Sequence, residues 1–348
     1  MLEGVSTSDW HFMGLAKHFP ETHNERLIAE IDKIYQYALK NGIQHVFVPG
    51  DIADTPTLPT DSYIALVLFL KKYDGLIHTH YIAGNHDFSD ISKTSLDFLN
   101  VLTQQGFFKT FNLYLKPDRV KIEGVPVNFL PYPCLETLSK GEKGALNFAH
   151  VEYSGAIGDN GRALKTKHEL SVIDNDYTIS GHIHQYQHMA AKRAVYCGNP
   201  FQKNFGESLP KGFIHFQAGM KKGRVQFKHK FVNNLPNFIL QNVDIEDLTD
   251  LKQLKHDDNI RYKLRVGAEV VLPADIMIQY PNITGGIFYS SGKKADIEEE
   301  LDKLVVEQSV VSVESGLKRF LSSQGFDKKQ IKEARAMVTE AKNHLGLS

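Results

Sequence analysis

The chain has 348 residues, of which 42% are hydrophobic, and its 40 Lys and Arg residues nearly balance its 41 Asp and Glu residues. This length suits about two domains with a sizeable core, and the balanced charge argues against binding nucleic acid through a uniformly basic surface, although bound metal ions still attract phosphate locally. Cys134 and Cys197 lie far apart without a CxxC pair, which argues against a disulfide framework or a thiolate zinc site. No signal peptide or membrane-length apolar run is visible, so we expect a soluble, cytoplasmic protein.

The first hundred residues alternate short apolar runs with helical patterns. Apolar residues at helical spacing predict helices over 24–41, 61–73 and 93–105, with Gly42 as the stop of the first. Apolar β-prone runs between them predict strands over 44–48 and 76–83. This β-α-β-α alternation predicts a layered α/β domain.

From residue 111 the pattern changes to short strands separated by turn residues. These strands are predicted over 112–115, 119–122, 125–130, 195–197, 212–217 and 224–230. Their spacing favours antiparallel pairing. The two patterns together predict an α/β (α+β) protein in which two sheets form a sandwich flanked by helices.

The run Asn233-Asn234-Leu235-Pro236-Asn237 is a candidate boundary between a main domain, 1–236, and the rest of the chain. Beyond it, a helix over 245–254, a strand over 261–266 and a helix over 295–308 predict a small α+β cap domain, 237–308. Residues 309–348 form a predicted C-terminal segment of two helices broken at Gly325. No internal repeat or P-loop occurs, which argues against nucleotide hydrolysis at a Walker site.

Five β-prone runs share one feature, since each ends in a glycine or a turn that is followed by Asp, Asn or His. Open sheets carry their ligands at the carboxyl ends of strands. We therefore expect these five ends to converge and to bring together Asp9, His11, Asp51, Asn85, His150, His182 and His184.

These residue types suit a pair of divalent metal ions. Two ions about 3.5–4 Å apart can hold both the attacking and the leaving oxygen of a phosphoester. A carboxylate with two oxygens suits the bridging position, which we assign to Asp51. Imidazole, carboxylate and amide donors together favour Mn²⁺, Fe²⁺ or Zn²⁺ over calcium.

Three further residues lie close to these donors in the sequence. His86 is adjacent to Asn85 and should not reach the same ion, so we expect a general acid or a phosphate contact, or else a support for the ligands. Asp54 and Asp87 are expected either to orient the histidines or to cap turns.

The motifs DxH, GDxxD, GNHD, a later single His and GHxH together resemble the calcineurin-like metallophosphoesterase superfamily. Within it, the chain is similar to SbcD, the nuclease subunit of the SbcCD DNA repair complex, in its 8–11 run followed by Gly14, its 50–55 run, and its 198–200, 205–207 and 211–212 segments. The motif resemblance covers roughly residues 5–217. The chain is short for that family and closest in size to phage recombination endonuclease subunits, which would place it in the host cytoplasm.

The resemblance implies a set of roles by position. One metal ion would be held by Asp9, His11, Asp51 and His184. The other would be held by Asp51, Asn85, His150 and His182, with His86 as the catalytic histidine. The expected ion is Mn²⁺, and the expected activities on DNA are those of a 3′→5′ exonuclease and an endonuclease.

The resemblance also implies partners. We expect a homodimer through the helices predicted over 61–73 and 93–105. We further expect an SbcC-like coiled-coil ATPase subunit to bind the C-terminal helices, and the cap domain to contact DNA.

Other functions remain possible on the same scaffold. One alternative is a phosphoprotein phosphatase or a small-molecule phosphodiesterase, but the phosphatases of this superfamily usually carry an Arg just after GDxxD, where this chain has Thr55-Pro56. A second alternative is an inactive scaffold that only binds DNA ends or an ATPase, and the complete set of ligand residues argues against it. The sequence therefore predicts a two-metal DNA phosphodiesterase.

Overall fold

The computed structural model describes residues 1–90, 93–138, 144–159, 161–167, 169–170 and 176–289. The chain divides into two compact units, Met1–Arg265 with Val271–Phe288, and Val266–Val270 with Tyr289–Ser348. Residues 237–265 thus belong to the same compact unit as the main domain, and the separate cap domain stays a prediction. The helix predicted over 295–308 and the two C-terminal helices lie outside the described residues.

The described part of the chain is built mainly from short strands. In chain order they are β1 (Leu2–Ser6), β2 (His45–Pro49), β3 (His78–Ile82), β4 (Phe88–Asp90), β5 (Lys93–Thr94), β6 (Phe111–Tyr114), β7 (Asp118–Ile122), β8 (Val125–Leu130), β9 (Leu146–His150), β10 (Tyr177–Gly181), β11 (Gln187–Met189), β12 (Ala194–Tyr196), β13 (Gly212–Lys221), β14 (Arg224–Asn233), β15 (Ile239–Ile245), β16 (Ile260–Val266) and β17 (Ile287–Tyr289). The α-helices are α1 (His23–Lys40), α2 (Thr60–Tyr73), α3 (Asp97–Gln104) and α4 (Ile276–Gln279).

Two six-stranded sheets confirm the predicted sandwich. Their strand orders are β14-β13-β1-β2-β3-β6 and β11-β12-β10-β9-β8-β7, and β15-β16-β17 form a separate small sheet. Strands β1, β2, β3 and β6 run parallel in the first sheet, as do β8, β9, β10 and β12 in the second. The residues that follow the carboxyl ends of these strands therefore line one edge of the sandwich, where a site is expected.

The two sheets enclose an aromatic and aliphatic core. Phe47 of the first sheet stacks on Phe148 of the second, with ring centroids 4.1 Å apart and the planes almost parallel. The outer face of the first sheet packs on α1 and α2 through a second buried cluster that includes Val46, Leu27 and Leu66. Burial on both faces explains the continuous apolar run Val46-Phe47-Val48 in β2.

Helix α1 follows its predicted boundaries closely. Gly42 adopts a left-handed φ of 70°, and the amide of Ile43 donates back to the Ala38 carbonyl, 2.9 Å away, as in a glycine-terminated helix. The third helix is shorter than predicted. Residues 93–94 belong to the two-stranded β4–β5 ladder, so helix α3 begins only at Asp97.

Two other predictions about local structure were wrong. The short strands after residue 111 are antiparallel in the β7–β8 and β13–β14 pairs, as predicted, and β12 is antiparallel to β11. However, β6 pairs in parallel with β3, β8 with β9 and β12 with β10. The helix predicted over 245–254 is a 3₁₀ helix, Leu248–Gln253, which follows strand β15. Among the described residues, no helix combines the length and apolar character needed to span a membrane.

Candidate metal centre

Residues at the carboxyl ends of five parallel strands meet at one edge of the sandwich. Asp9 and His11 follow β1, Asp51 follows β2 and Asn85 follows β3, all in the first sheet. From the second sheet, His150 ends β9, and His182 and His184 follow β10. All seven predicted donors thus face one another across the gap between the sheets.

The backbone at this edge is unusual. Asp9, His11, Asp51 and His182 have φ values of 55°, 48°, 54° and 83°, in the left-handed region that residues other than glycine rarely adopt. Such conformations concentrate at functional sites, where the surrounding structure holds them. They turn the side chains inward immediately after each strand.

Two glycines allow the donors to approach one another closely. A Cβ at Gly50 would lie 2.0 Å from Nδ1 of His150, and a Cβ at Gly84 would lie 2.1 Å from Oδ1 of Asp51. Neither contact is compatible with a side chain. The glycine that ends each of these runs is therefore required by the packing of the donors.

The first predicted group of donors contains Asp9, His11, Asp51 and His184. The Nε2 atoms of His11 and His184 are 3.1 Å apart. Asp51 Oδ2 lies 3.8 Å from His11 Nε2, and Asp9 Oδ1 lies 3.9 Å from His184 Nε2. Ligands bound at about 2.0–2.2 Å to one ion are separated by distances of this order, so these atoms fit a single metal ion.

The second predicted group is equally compact. His150 Nε2 lies 3.2 Å from Asp51 Oδ2 and 2.9 Å from Asn85 Oδ1. The same Asn85 oxygen lies 3.0 Å from His182 Nδ1. Asp51 is buried and contacts histidines of both groups, which is the position that a bridging carboxylate occupies.

Each of the four histidines is held through its other ring nitrogen. His11 Nδ1 lies 3.1 Å from Asp54, His184 Nδ1 lies 3.0 Å from Glu207 and 3.1 Å from Asp159, His150 Nδ1 lies 2.9 Å from the Pro49 carbonyl, and His182 Nε2 lies 3.1 Å from Glu152. An acceptor at the outer nitrogen places the proton there and leaves a lone pair on the inner nitrogen. The donor set therefore fits divalent metal ions.

The charge distribution also favours cations. Burial alone would raise the pKa of Asp51, but the His150 and His11 rings hold that pKa well below its usual range. The negative charge of Asp51 outweighs burial at His150 and raises its pKa to about 9. At His184, hydrogen bonds with Asp159 and Glu207 outweigh burial and raise the pKa to about 10. Positive charge is thus stabilised on both sides of the centre.

His86 lies at the rim of this centre. Its backbone amide donates to Asp51 Oδ1 at 2.9 Å, and its Nδ1 lies 2.8 Å from the carbonyl oxygen of Asp54. The Nδ1–H therefore donates to this carbonyl oxygen, and Nε2 remains available for a substrate. Donor atoms of His86, His11 and Asp54 also lie within 4.8 Å of one another, so the geometry is compatible with both predicted roles, acid and ligand support.

The family is shown by the sequence pattern over this part of the fold. The model of the calcineurin-like phosphoesterases matches residues 5–186, which include all seven donors and His86. The chain belongs to the calcineurin-like phosphoesterase family. Members of this family are metal-dependent hydrolases, and the candidate ligand groups described above fit that chemistry.

Comparisons beyond the family are less informative. No curated protein matches the chain. One similar solved structure is described as GAP50, the anchor in the inner membrane complex of Plasmodium; it is 11% identical, with 67% of this chain and 85% of that chain covered, and its TM-score is 0.37. Another is the protein of unknown function AQ665 from Aquifex aeolicus, with 14% identity, 44% and 81% coverage and a TM-score of 0.23. Likenesses this low carry no argument about this phosphoesterase.

The surroundings of the centre contain residues whose roles sequence reasoning missed. Glu207 is buried, holds His184 and pairs with the buried Lys211 at 2.7 Å. Lys203 lies 2.7 Å from Asp54 and 3.3 Å from His11 Nδ1. Glu207 and Lys211 lie in two segments that resemble SbcD, but that resemblance assigned no role to either residue.

Asp54 and Asp87 differ from each other. Asp54 contacts His11, as expected of an orienting carboxylate. Asp87 instead accepts hydrogen bonds from the tyrosine hydroxyl of Tyr81 and from the backbone amides of Asp51, Ala53 and Gly84. Asp87 thus fixes the loop that carries Asp51, which is closer to the turn-capping alternative.

Proposed function

We propose that the chain is the nuclease subunit of an SbcCD-type double-strand-break repair or recombination complex, and that it hydrolyses DNA phosphodiesters with two Mn²⁺ ions. The observation that carries the proposal is the convergence of six donors around a seventh, the buried carboxylate of Asp51, in a member of the calcineurin-like phosphoesterases. The choice of DNA is supported by the resemblance of the segments around Asp9, Asp51 and Asn199 to SbcD. The proposed activities are 3′→5′ exonuclease and endonuclease.

The residues of the centre would have different roles in hydrolysis. When bound, two divalent ions would supply an activated water and positive charge for the phosphate. The Nδ1–H of His86 donates to the Asp54 carbonyl, so the protonated form of the ring would present its Nε2–H to the departing 3′-oxygen. Asp54 and Glu207 hold the rings of His11 and His184 in place.

The space beside the donors suits a diester better than a monoester. Two cavities, of about 360 and 720 Å³, border Asn85. A phosphodiester carries a substituent on each side of phosphorus, and cavities of this size accommodate such groups. In addition, Thr55-Pro56 occupies the place where phosphoprotein phosphatases of the superfamily usually carry Arg.

A single set of assays tests the proposal. We expect Mn²⁺-dependent cleavage of end-labelled single-stranded DNA, with weaker or no activity on a phosphopeptide or a cyclic nucleotide. The variant Asp51→Asn should lose this cleavage. Its matched control is Asp176→Asn, since this buried carboxylate accepts hydrogen bonds from Thr137 and the amide of Ala145 and does not contact the metal donors. Efficient phosphopeptide or cyclic-nucleotide hydrolysis without DNA cleavage would support the alternative function instead.

The proposed partners follow the same resemblance. Exposed apolar residues on two helices, Ile64 and Leu68 on α2 and Phe98 and Val101 on α3, support a homodimer through these helices. An SbcC-like coiled-coil ATPase is proposed to bind the C-terminal helices, which lie outside the described residues. Location in the cytoplasm, or in the host cytoplasm for a phage protein, belongs to the same proposal.

A further inference from the structure

The larger of the two cavities begins at the metal centre and extends away from it. It has a volume of about 720 Å³, and its lining includes Asn85, Phe88, Lys116 and Tyr132. The smaller cavity, of about 360 Å³, is lined by Asn85 and Tyr132 together with His150 and other residues. Because Asn85 and Tyr132 line both, a group attached to a phosphate at the metal centre can extend past Tyr132 into the larger cavity.

The walls of the larger cavity are mainly apolar and rigid. Besides the aromatic rings of Phe88 and Tyr132, they include Leu115 and three prolines, Pro117, Pro131 and Pro133. The backbone of Tyr132 is fixed, because its amide donates to the Ala83 carbonyl at 3.0 Å, directly beyond β3. Its side chain nevertheless stays 42% exposed and has no hydrogen-bond or ring partner among the described residues.

A positive charge stands at the same cavity. Lys116 is exposed and lines the wall between Leu115 and Pro117. Within the described part of the chain it has no ion pair. An aromatic ring with a free face, next to an unpaired lysine, is the combination by which proteins hold single-stranded nucleic acid, the ring through a base and the lysine through a phosphate.

We propose that this cavity is a nucleoside subsite. The base next to the scissile phosphate stacks on Tyr132, and Lys116 binds a phosphate further along the strand. This inference rests on the proposed nuclease function and deepens it, because it assigns recognition of the unpaired base to residues outside the metal donors. The subsite is independent of base identity, since every base has a face that can stack.

The test compares two oligomers of equal length, oligo-dT and a fully abasic phosphodiester, each cleaved with Mn²⁺. Tyr132→Ala should lower kcat/KM for oligo-dT by about 5- to 100-fold, the usual effect of losing one base–aromatic stack. It should leave kcat/KM for the abasic oligomer unchanged, and Tyr132→Phe should restore cleavage of oligo-dT. Phe107→Ala is the matched control, because Phe107 is also 42% exposed but precedes the amino end of β6, far along the strands from the donors.

Lys116 is tested through the salt dependence of oligo-dT binding, measured by fluorescence anisotropy in a His86→Ser background. Lys116→Gln should make the slope of log affinity against log salt shallower by about 0.7, the value for one phosphate contact on a single strand. Lys121→Gln makes the same charge change near the opposite end of strand β7 and should leave the slope unchanged.

Three outcomes overturn the inference. Equal losses on both oligomers in Tyr132→Ala would show that the ring supports the fold and not a base, and no loss on either would show that the cavity is unused. An unaltered salt-dependence slope in Lys116→Gln would show that Lys116 makes no phosphate contact. If the wild-type protein cleaves neither oligomer yet hydrolyses a phosphate monoester, the proposed nuclease function itself fails, which is a distinct result.

Discussion

Asp51 is the residue on which the metal centre depends most. Its carboxylate lies between His11 of one donor group and His150 of the other, and its backbone is held in a left-handed conformation by hydrogen bonds to Asp87 and from His11. An amide in its place offers one oxygen and no negative charge. We therefore expect Asp51→Asn to lose at least one metal ion and all measurable cleavage.

Metal content by mass spectrometry, together with a DNA cleavage assay, tests this prediction. Asp176→Asn removes a buried carboxylate charge at the other end of the second sheet and should keep both ions. Two tightly bound ions and normal cleavage in Asp51→Asn would refute the bridging role.

His86 can be separated from the ligands in the same way. Replacing it with Ser removes the Nε2 proton donor but leaves the backbone amide that donates to Asp51. We expect His86→Ser to retain both ions and DNA binding, and to lose cleavage by about 10²–10⁴-fold, the usual contribution of a positioned acid–base group. Should metal content fall in parallel with activity, His86 would be a ligand or its support.

Glu207 shows how much the donors rely on residues around them. Its carboxylate holds His184 Nδ1 and is neutralised by the buried Lys211. We expect Glu207→Gln to weaken metal affinity by about 10–100-fold, as is usual when the partner of a metal-binding histidine is removed. The measurement is a metal titration by calorimetry.

The control for Glu207 is another fully buried glutamate paired with a lysine, Glu30, which lies 2.9 Å from Lys33 in helix α1. Glu30→Gln should lower the free energy of unfolding without changing metal affinity. A similar loss of metal affinity in both variants would mean that general destabilisation, and not the contact with His184, explains the effect.

At the residue scale, the sequence predicted the donors and one of their supports, Asp54, but not the other supports. Each donor follows a glycine or a turn at a strand end, so residues 9, 51, 85, 150 and 182 could be found from a local pattern. Lys203 approaches His11 across 192 positions, and Glu152 approaches His182 across 30. No local pattern marks such pairs, because only the fold brings them together.

At the scale of elements, helix periodicity was more informative than strand pairing. The boundaries of α1 and α2 follow from apolar spacing and from Gly42. Parallel partners such as β3 and β6 are separated by a whole helix, and a short strand carries no signal that identifies its partner. The start of α3 was misplaced because Lys93 and Thr94 pair with β4, and this tertiary pairing outweighs helical propensity.

The exposed faces of α2 and α3 lead to a prediction about assembly. Leu68 is 65% exposed and Val101 is 53% exposed, and the two helices approach each other where Tyr63 meets Phe98. We expect the protein to sediment as a dimer, and the double variant Leu68→Glu, Val101→Glu to sediment as a monomer, because each copy of the charged pair would be buried in an isologous interface.

The control is Leu235→Glu, which adds charge at a residue that is 72% exposed in the segment after β14. This variant should remain dimeric. A wild-type protein that is monomeric at micromolar concentration in the absence of partners would exclude the proposed interface.

At the scale of the whole molecule, the metal centre and its surroundings belong to the first compact unit. Residues of β16 and beyond it also contribute to this unit, since Arg261 donates to the His18 carbonyl at 2.7 Å and Thr284 contacts His18 at 3.0 Å. The boundary predicted at 236 stays a prediction, and it relies on a run of Asn and Pro, which marks a turn as readily as a linker. Composition alone does not distinguish these cases, whereas contacts between distant segments do.

The C-terminal segment carries a pattern that calls for a binding surface. Apolar residues recur at helical spacing in two stripes, Leu317, Phe320 and Leu321, then Ile331, Ala334, Val338, Ala341 and Leu345. Asp327 and Gln330 suit the start of the second predicted helix, and Lys328, Lys329, Lys332 and Arg335 suit its solvent face. Isolated helices of this length are marginal in water, so their apolar stripes need a partner, either the protein itself or another chain.

An amphipathic helix pair can bind a coiled coil through its apolar stripes, which favours an SbcC-like ATPase as the partner. Truncation before Val313 should then leave Mn²⁺-dependent cleavage of single-stranded DNA intact, because all seven metal donors and His86 precede residue 185. It should abolish association with the ATPase and any ATP-stimulated cleavage of duplex DNA. Pull-down and nuclease assays on the same truncated protein measure both effects. Retained ATPase binding would place the docking surface elsewhere, whereas loss of single-strand cleavage would show that the segment packs on the nuclease itself.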